Sequence, residues 1–272
     1  MKLNKGQIYL PQNRNPNKVK YLCICAHQDD CEIMAIDGIL KGFYSKKYSF
    51  ALVVTSDGAG SARTGEFKNY TDEMMKKVRI QEQKEASEIG RYNSLYLLNY
   101  TSNEIKNKSN DLIVDEYLKI IKELRPEVIY THNILDKHPT HLGVALKVIK
   151  AVRSLSKEEQ PKLFYGCEVW RGLDWISDDL KVGFNVSRNI RLAKKLLDVY
   201  KSQIAGGKEY TKATIGRRYQ NATYFQSHSV DICKQVSYAI SYAPLLKNKE
   251  LSIKEFALSF VDKLKEEVIN NL

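Results

Sequence analysis

The run Ala26-His27-Gln28-Asp29-Asp30-Cys31-Glu32 follows directly on the apolar stretch Tyr21-Leu22-Cys23-Ile24-Cys25. An imidazole and two adjacent carboxylates at the end of a strand serve no packing purpose. Asp29 and Asp30 repel each other and have no basic neighbour in sequence. A divalent cation is the simplest group that offsets them. A second cluster, His138-Pro139-Thr140-His141, also follows an apolar run. Together the two clusters hold the parts of a catalytic zinc site, with a carboxylate and a histidine to spare.

His27 and Asp30 are three residues apart on a strand-to-helix turn, so they can converge on one ion. His138 and His141 have the same spacing at a helix start, where residues three apart share a face. Hydrolytic zinc sites keep three protein ligands and one open position. His27, Asp30 and either later histidine meet that requirement. Asp29 is then placed as a base towards zinc-bound water, whose pKa falls to roughly 7. The histidine that is not a ligand can stabilise an oxyanion and protonate a leaving amine. Asp136 is expected to orient the His138 imidazole and raise its pKa. His132 and His228 read as ordinary satisfied histidines, although His132 ends a strand beside the site.

The elements that must position these residues follow from periodicity. Apolar runs at 21–26, 49–55, 94–100 and 127–132 read as buried strands, with helical patterns at 32–44, 71–89, 111–124 and 140–155 between and after them. Gly90 is expected as the C′ residue of the second helix. Residues 56–70 form a turn-rich loop. Near-continuous apolar strands alternating with helices indicate an α/β fold, Rossmann-like, its mostly parallel sheet covered by helices on both faces. Ligands bind such sheets outside the carboxyl ends of the strands, where both histidine clusters fall. The second half reads as strands at 162–170 and 181–186 and helices at 187–202 and 252–271. The Gly-, Tyr- and Arg-rich stretch 206–229 is a candidate cover for the site. No linker demands a second domain: residues 1–272 read as one domain, a core at about 20–155 and an irregular C-terminal extension at about 156–272.

Bulk properties bound the partners. The chain has 272 residues with 43% hydrophobic and 28% charged content, a globular profile. Net charge is +11, but the lysines are scattered and mixed with glutamates, without a nucleic-acid signature. An anionic substrate is the functional alternative to a generic basic surface. No apolar stretch approaches a membrane span, and residues 1–10 lack an apolar h-region, so the cytoplasm is the expected location. Five cysteines argue against a disulfide framework. Cys23 and Cys25 read as core, while Cys31 is either a small buried spacer or a reactive thiol. A homo-oligomer stays open.

The motif Ala-His27-Gln-Asp29-Asp30-Cys-Glu resembles the A-H-P-D-D-x-E signature of the PIG-L/LmbE-like de-N-acetylases, and His138-Pro-Thr-His141 resembles their H-P-D-H. Arg79-x-x-Glu82-x-x-x-Ala86-x-x-x-Gly90 and Tyr200-Lys201-Ser202-Gln203 are similar to two further family elements. The resemblance runs from about residue 20 to 230. It implies zinc-dependent removal of an acetyl group from an N-acetylated amino sugar or glycoconjugate of the GlcNAc type. It implies His27, Asp30 and His141 as zinc ligands, Asp29 as base, and His138 as acid and oxyanion stabiliser. Arg63 would contact substrate, and Ser56, Asp57 and Gly58 would line the pocket. Fe2+ or Co2+ fits the same donors.

The departures are Gln28 for proline, expected to loosen the turn, Thr140 for aspartate, which removes a supporting carboxylate, and Ala35-Ile36-Asp37-Gly38 in place of a glycine pair. Three other readings use the same residues. A phosphoesterase or amidase on this scaffold is one, though phosphoesterases often bridge two metals with extra carboxylates. A non-catalytic binding module is another, with no need for Asp29. A dinucleotide-binding protein is the third, but the first loop has no glycine to cradle a pyrophosphate. Trp170, Trp175, Tyr219 and Tyr224 are candidates for stacking on a sugar face.

Overall fold

The computed structural model describes every residue except Met1, Ser227, Val230 and Ile232. Along the chain run β1 (Gln7–Tyr9), β2 (Lys18–Cys25), α1 (Asp30–Met34), α2 (Ile36–Tyr44) and β3 (Tyr48–Ser56). A long loop leads to α3 (Asp72–Ile89), β4 (Ser94–Tyr100), α4 (Ser102–Lys106), α5 (Leu112–Leu124), β5 (Val128–His132) and α6 (Pro139–Ser154). The second half adds β6 (Leu163–Cys167), β7 (Lys181–Asn185), α7 (Ile190–Asp198), α8 (Lys201–Ile204), α9 (Tyr210–Asn221), β8 (Val236–Ser241), α10 (Ala243–Lys247) and α11 (Ile253–Asn271). Among the described residues, no helix is long and apolar enough to cross a membrane.

Among the described residues, eight strands join one sheet in the order β1-β4-β3-β2-β5-β6-β8-β7. Strands β4, β3, β2, β5 and β6 are parallel neighbours, and antiparallel pairs close both edges. The parallel centre is buried on both faces, which is why its strands are apolar at successive positions. Along β2, Leu22 and Ile24 enter one core while Cys23 and Cys25 enter the other. Cys23 and Cys25 are therefore core, as expected, and Cys31 is a buried spacer: burial pushes its thiol up, so it is not a reactive thiolate.

The winding sets the site. From β2 the chain moves outward through β3 to β4, then returns to place β5 on the other side of β2. This reversal opens a crevice at the carboxyl ends of β2 and β5. His27 follows β2 and His132 ends β5, while His138 caps α6, so the two clusters meet although more than a hundred residues separate them, as in the 114 between His27 and His141.

Several elements differ from expectation. The helix at 32–44 is two helices, broken at Ala35 (φ −111°, ψ 21°), so that α1 holds Asp30 at the crevice while α2 packs on β2 and β3. Gly90 is right-handed, not a left-handed C′ residue; Arg91 has the positive φ of 54°. Glycine is required at 90 because a Cβ there would lie 2.3 Å from the Tyr92 ring. The helix at 187–202 breaks before Tyr200 into α7 and α8. The C-terminal part is less irregular than its sequence suggests, since it supplies β6, β7 and β8 to the same sheet. Strand β8 carries no turn signal at its start and was not expected, nor was the three-residue edge strand β1.

A candidate metal centre in a large pocket

Three side chains converge at the crevice. His27 Nδ1 lies 3.1 Å from Asp30 Oδ2 and 3.2 Å from His141 Nε2, and His141 Nε2 lies 3.4 Å from Asp30 Oδ1. Atoms bound to one zinc ion at about 2.0–2.2 Å are separated by roughly 3.0–3.4 Å for coordination angles between a right angle and the tetrahedral value. The two imidazole nitrogens have that spacing, and Asp30 reaches them with different oxygens, Oδ2 to His27 and Oδ1 to His141. The donor atoms of His27, His138 and His141 also lie within 4.8 Å of one another, so His138 is an alternative third donor.

The environment also calls for a cation. Burial opposes the charge on Asp30, but the His141, His27 and His132 rings outweigh it and hold the carboxyl well below its usual range. Asp30 and Asp136 hold a positive charge on His141 against its burial, pushing its pKa up to about 10. A cation held there would meet the same electrostatic demand, and His141 would bind it only without that proton.

Asp136 has a different partner from the one expected. Its Oδ2 lies 3.0 Å from His141 Nδ1, and its Oδ1 accepts the His138 backbone N–H at 2.9 Å. It supports His141. The His138 pKa is lowered to about 4, not raised, by burial and by repulsion from His141 and His27. The His138 ring stacks on His141 with centroids 4.4 Å apart and stands 5.0 Å from His27, and its Nδ1 is buried without a partner.

His132 is fully buried beneath the site, stacked on His141 at 4.1 Å. It is close enough to Asp30 and His141 to suggest a second ligand set. However, its Nε2 accepts the Ala26 N–H at 2.8 Å, so that lone pair is already engaged. His228 is exposed and lines no part of the pocket.

Asp29 stands at φ 91°, a positive value uncommon outside glycine. Arg79 secures it, one nitrogen donating to Asp29 Oδ2 at 3.0 Å and also to the Gln28 carbonyl, the other to Glu82 and Ser202. Gln28 is buried and its amide donates to the Ser56 carbonyl at 3.2 Å, so the turn is anchored rather than loose. Burial pushes the Asp29 carboxyl up to about 6, with Asp30 adding to the rise and Arg79 opposing it. Behind this layer Glu32 accepts from Tyr92, Tyr200 and Gln83 at 2.7, 2.7 and 3.0 Å.

These groups open into a cavity of about 700 Å³, within the range of ligand sites. Ser56, Asp57 and Gly58 line it, with Ser56 Oγ buried and unpartnered. Arg63 does not line it. The Arg63 guanidinium donates to the carbonyls of Ala59, Ser61 and Tyr70 and to Asp72, clamping the loop after β3. Trp170 lines the cavity, unlike Trp175, Tyr219 and Tyr224. The stretch 206–229 does cover the site through α9, which contributes Tyr210, Thr214 and Arg217; Ser227 of that stretch lies outside the described residues. Sequence reasoning missed the grip of Arg79 on Asp29 and the basic wall from Arg171 and Lys208. A buried Arg-Glu pair at i, i+3 was the available signal for the first.

Comparison with known proteins bears on the family and the fold. Residues 22–152 match the model of the PIG-L family, described as GlcNAc-PI de-N-acetylase. No curated protein sequence matches the chain. The fold is shared with solved structures. The N,N'-diacetylchitobiose deacetylase of Pyrococcus horikoshii superposes with a TM-score of 0.65 at 15% identity, over 87% of this chain and 88% of that one. The A40926 pseudoaglycone deacetylase Dbv21 gives 0.61 at 11% identity, over 83% and 97%. GalB, the 4-carboxy-2-hydroxymuconate hydratase of Pseudomonas putida KT2440, gives 0.60 at 14% identity, over 82% and 96%. A hydratase among these neighbours means that the fold alone does not select a reaction.

Proposed function

We propose that this chain, which residues 22–152 place in the PIG-L family, is a metal-dependent amidohydrolase that removes the acetyl group of an N-acetylated amino sugar or glycoconjugate. One observation carries the reading: His27, Asp30 and His141 converge at 3.1–3.4 Å with Asp29 and His138 beside them. A triad of two imidazoles and one carboxylate suits zinc and also Fe2+ or Co2+. Such an ion, when bound, acidifies water and polarises an acyl oxygen.

The chain's own groups supply the rest. Asp29, held by Arg79, accepts a proton from the attacking water as its oxygen bonds to the acyl carbon. His138 is neutral before reaction, so it can hydrogen-bond the developing oxyanion and relay the proton to the amine nitrogen as the C–N bond breaks. The products are acetate and a free amine. The deacetylases that share the fold, and the family's description, support the choice of an N-acetyl sugar.

The test is metal content measured together with amine release from free GlcNAc, a GlcNAc glycoside with a polar aglycone, and N,N'-diacetylchitobiose. About one metal per chain and a new primary amine are expected. A protein that binds no metal, and that zinc, iron and cobalt all fail to activate, would sink the reading.

A further inference from the structure

We propose that the adjacent arginines Arg217 and Arg218 of α9 are positioning residues that clamp this cover helix to the site, Arg218 to the helix that carries Asp30 and Arg217 to the segment that stands against His138; this rests on the amidohydrolase reading above. Ala213, Thr214 and Arg217 share one face of α9 and line the cavity, whereas Arg218 is buried at 2% exposure.

Arg218 grips α1. Its Nη2 donates to the Glu32 carbonyl at 2.8 Å and to the Ile33 carbonyl at 3.1 Å. Helix α1 is five residues long and ends at the break at Ala35. A single turn is not stable alone, and the last carbonyls of a helix lack partners within it. A guanidinium there supplies the donors and suits the negative end of the peptide dipoles. The same turn returns the Glu32 and Ile33 N–H groups to the Asp29 carbonyl at 3.1 and 3.3 Å, so what holds it also holds Asp29 and Asp30. Burial lowers the Arg218 pKa to about 10, with Glu168 opposing the fall, so the side chain keeps its charge at neutral pH. Its Nε and Nη1 are buried without a partner, so the two carbonyl contacts offset only part of the cost of burying it.

Arg217 grips a different element. Its Nη1 donates to the Val169 carbonyl at 2.6 Å. The next residue, Trp170, stands edge-on to the His138 ring at 5.9 Å. Glu168 reconciles the two neighbouring cations, since its charge attracts both guanidiniums. Its carboxylate is fixed by Asn221 of the same helix at 2.7 Å and by the N–H groups of Tyr238 and Leu173 at 3.0 and 3.2 Å.

The test follows R218M, R218K, R217M and T211V by three readouts: zinc affinity from chelator competition, kcat and KM for amine release from a GlcNAc glycoside, and hydrogen exchange of the α1 amides. T211V is the control, because Thr211 donates to Asp198 at 2.7 Å and so ties α9 to α7 instead. R218M should lose about tenfold in zinc affinity, as when a group supporting a ligand is removed, and α1 should exchange about tenfold faster. R218K keeps the charge and a donor and should recover most of both. R217M should hold its zinc affinity within about twofold and raise KM by about tenfold, the worth of one charge-assisted hydrogen bond.

An equal loss of zinc affinity in R218M and T211V, or α1 exchange unchanged in R218M, would overturn the clamp. Should R218M fail to fold, exchange in the wild type decides: α1 and α9 opening together in urea supports the clamp, and α1 opening before α9 overturns it. If the wild type neither binds zinc nor releases amine, the amidohydrolase reading falls, and α1 exchange in R218M decides the clamp alone.

Discussion

The Asp136 carboxylate lies 3.0 Å from His141 Nδ1 and so turns the opposite ring nitrogen, Nε2, towards His27 and Asp30. A carboxylate there makes Nδ1 the protonated nitrogen and leaves the Nε2 lone pair for a metal. In D136N the contact persists without its charge. Metal affinity should fall by about 10- to 100-fold, read by chelator competition, and H141A should lose more. An affinity unchanged in D136N would mean that Asp136 does not orient the ligand.

As the proposed base, Asp29 should set the acidic limb of the rate profile. Burial raises its pKa to about 6, and only the ionised form can take a proton. Activity should therefore fall as pH drops through about 6, well above the range of an ordinary aspartate. D29N should keep its metal and lose about 10²–10⁴-fold in kcat. Arg79 opposes the rise, so R79K, which loses the forked contact to Asp29 and Glu82, should move the limb to higher pH. A limb that stays near 4 would refute the assignment.

Glu32 links stability to pH. Burial raises its pKa to about 7 against the three donors from Tyr92, Tyr200 and Gln83. Between the unfolded value of 4.5 and about 7, the folded protein binds a proton that the unfolded chain does not. Its contribution is full below 4.5 and is lost as pH rises through about 7, on the order of 3 kcal/mol. E32Q cannot ionise, so relative to the wild type it should gain stability between pH 5 and 8. Urea midpoints of both proteins at the two pH values measure this difference.

Gly58 is a fixed point of the pocket floor. Its φ is +76°, and a Cβ there would lie 2.8 Å from Arg79 Cβ and 3.0 Å from Gln28 Oε1. G58A should cost about 1–3 kcal/mol and disturb Arg79, so urea unfolding and kcat should fall together.

The contacts of Arg63 predict that it acts through the loop rather than on substrate. R63A removes its bonds to Ala59, Ser61, Tyr70 and Asp72. The loop should become sensitive to limited proteolysis, and KM should rise more than kcat falls. A loss of kcat with an intact loop would restore the direct contact expected from sequence.

Much of the parallel core was legible because its strands carry continuous apolar runs that no surface element would tolerate. Strand β4 coincides with the expected 94–100. The edges were not legible: β1 is three residues long and mostly exposed, and β8 gains its meaning from pairing with β6 and β7. The break at Ala35 was hidden because both sides of it are helical in pattern.

The sequence by itself supplied the candidate donors: an imidazole and paired carboxylates directly after one apolar strand, and a second histidine pair at the start of the helix that follows another. Residue type fixes what a group can bind, and local spacing fixes which neighbours share a turn. Tertiary structure decided which histidine presents a free lone pair, which carboxylate stands behind it, and that Arg63 holds a loop while Arg171, Lys208 and Arg217 face the cavity. Those outcomes follow from β5 lying beside β2 and from α9 folding back over the crevice. Ring tautomer and side-chain partner depend on distances across space between residues far apart in the chain, and no local pattern encodes them.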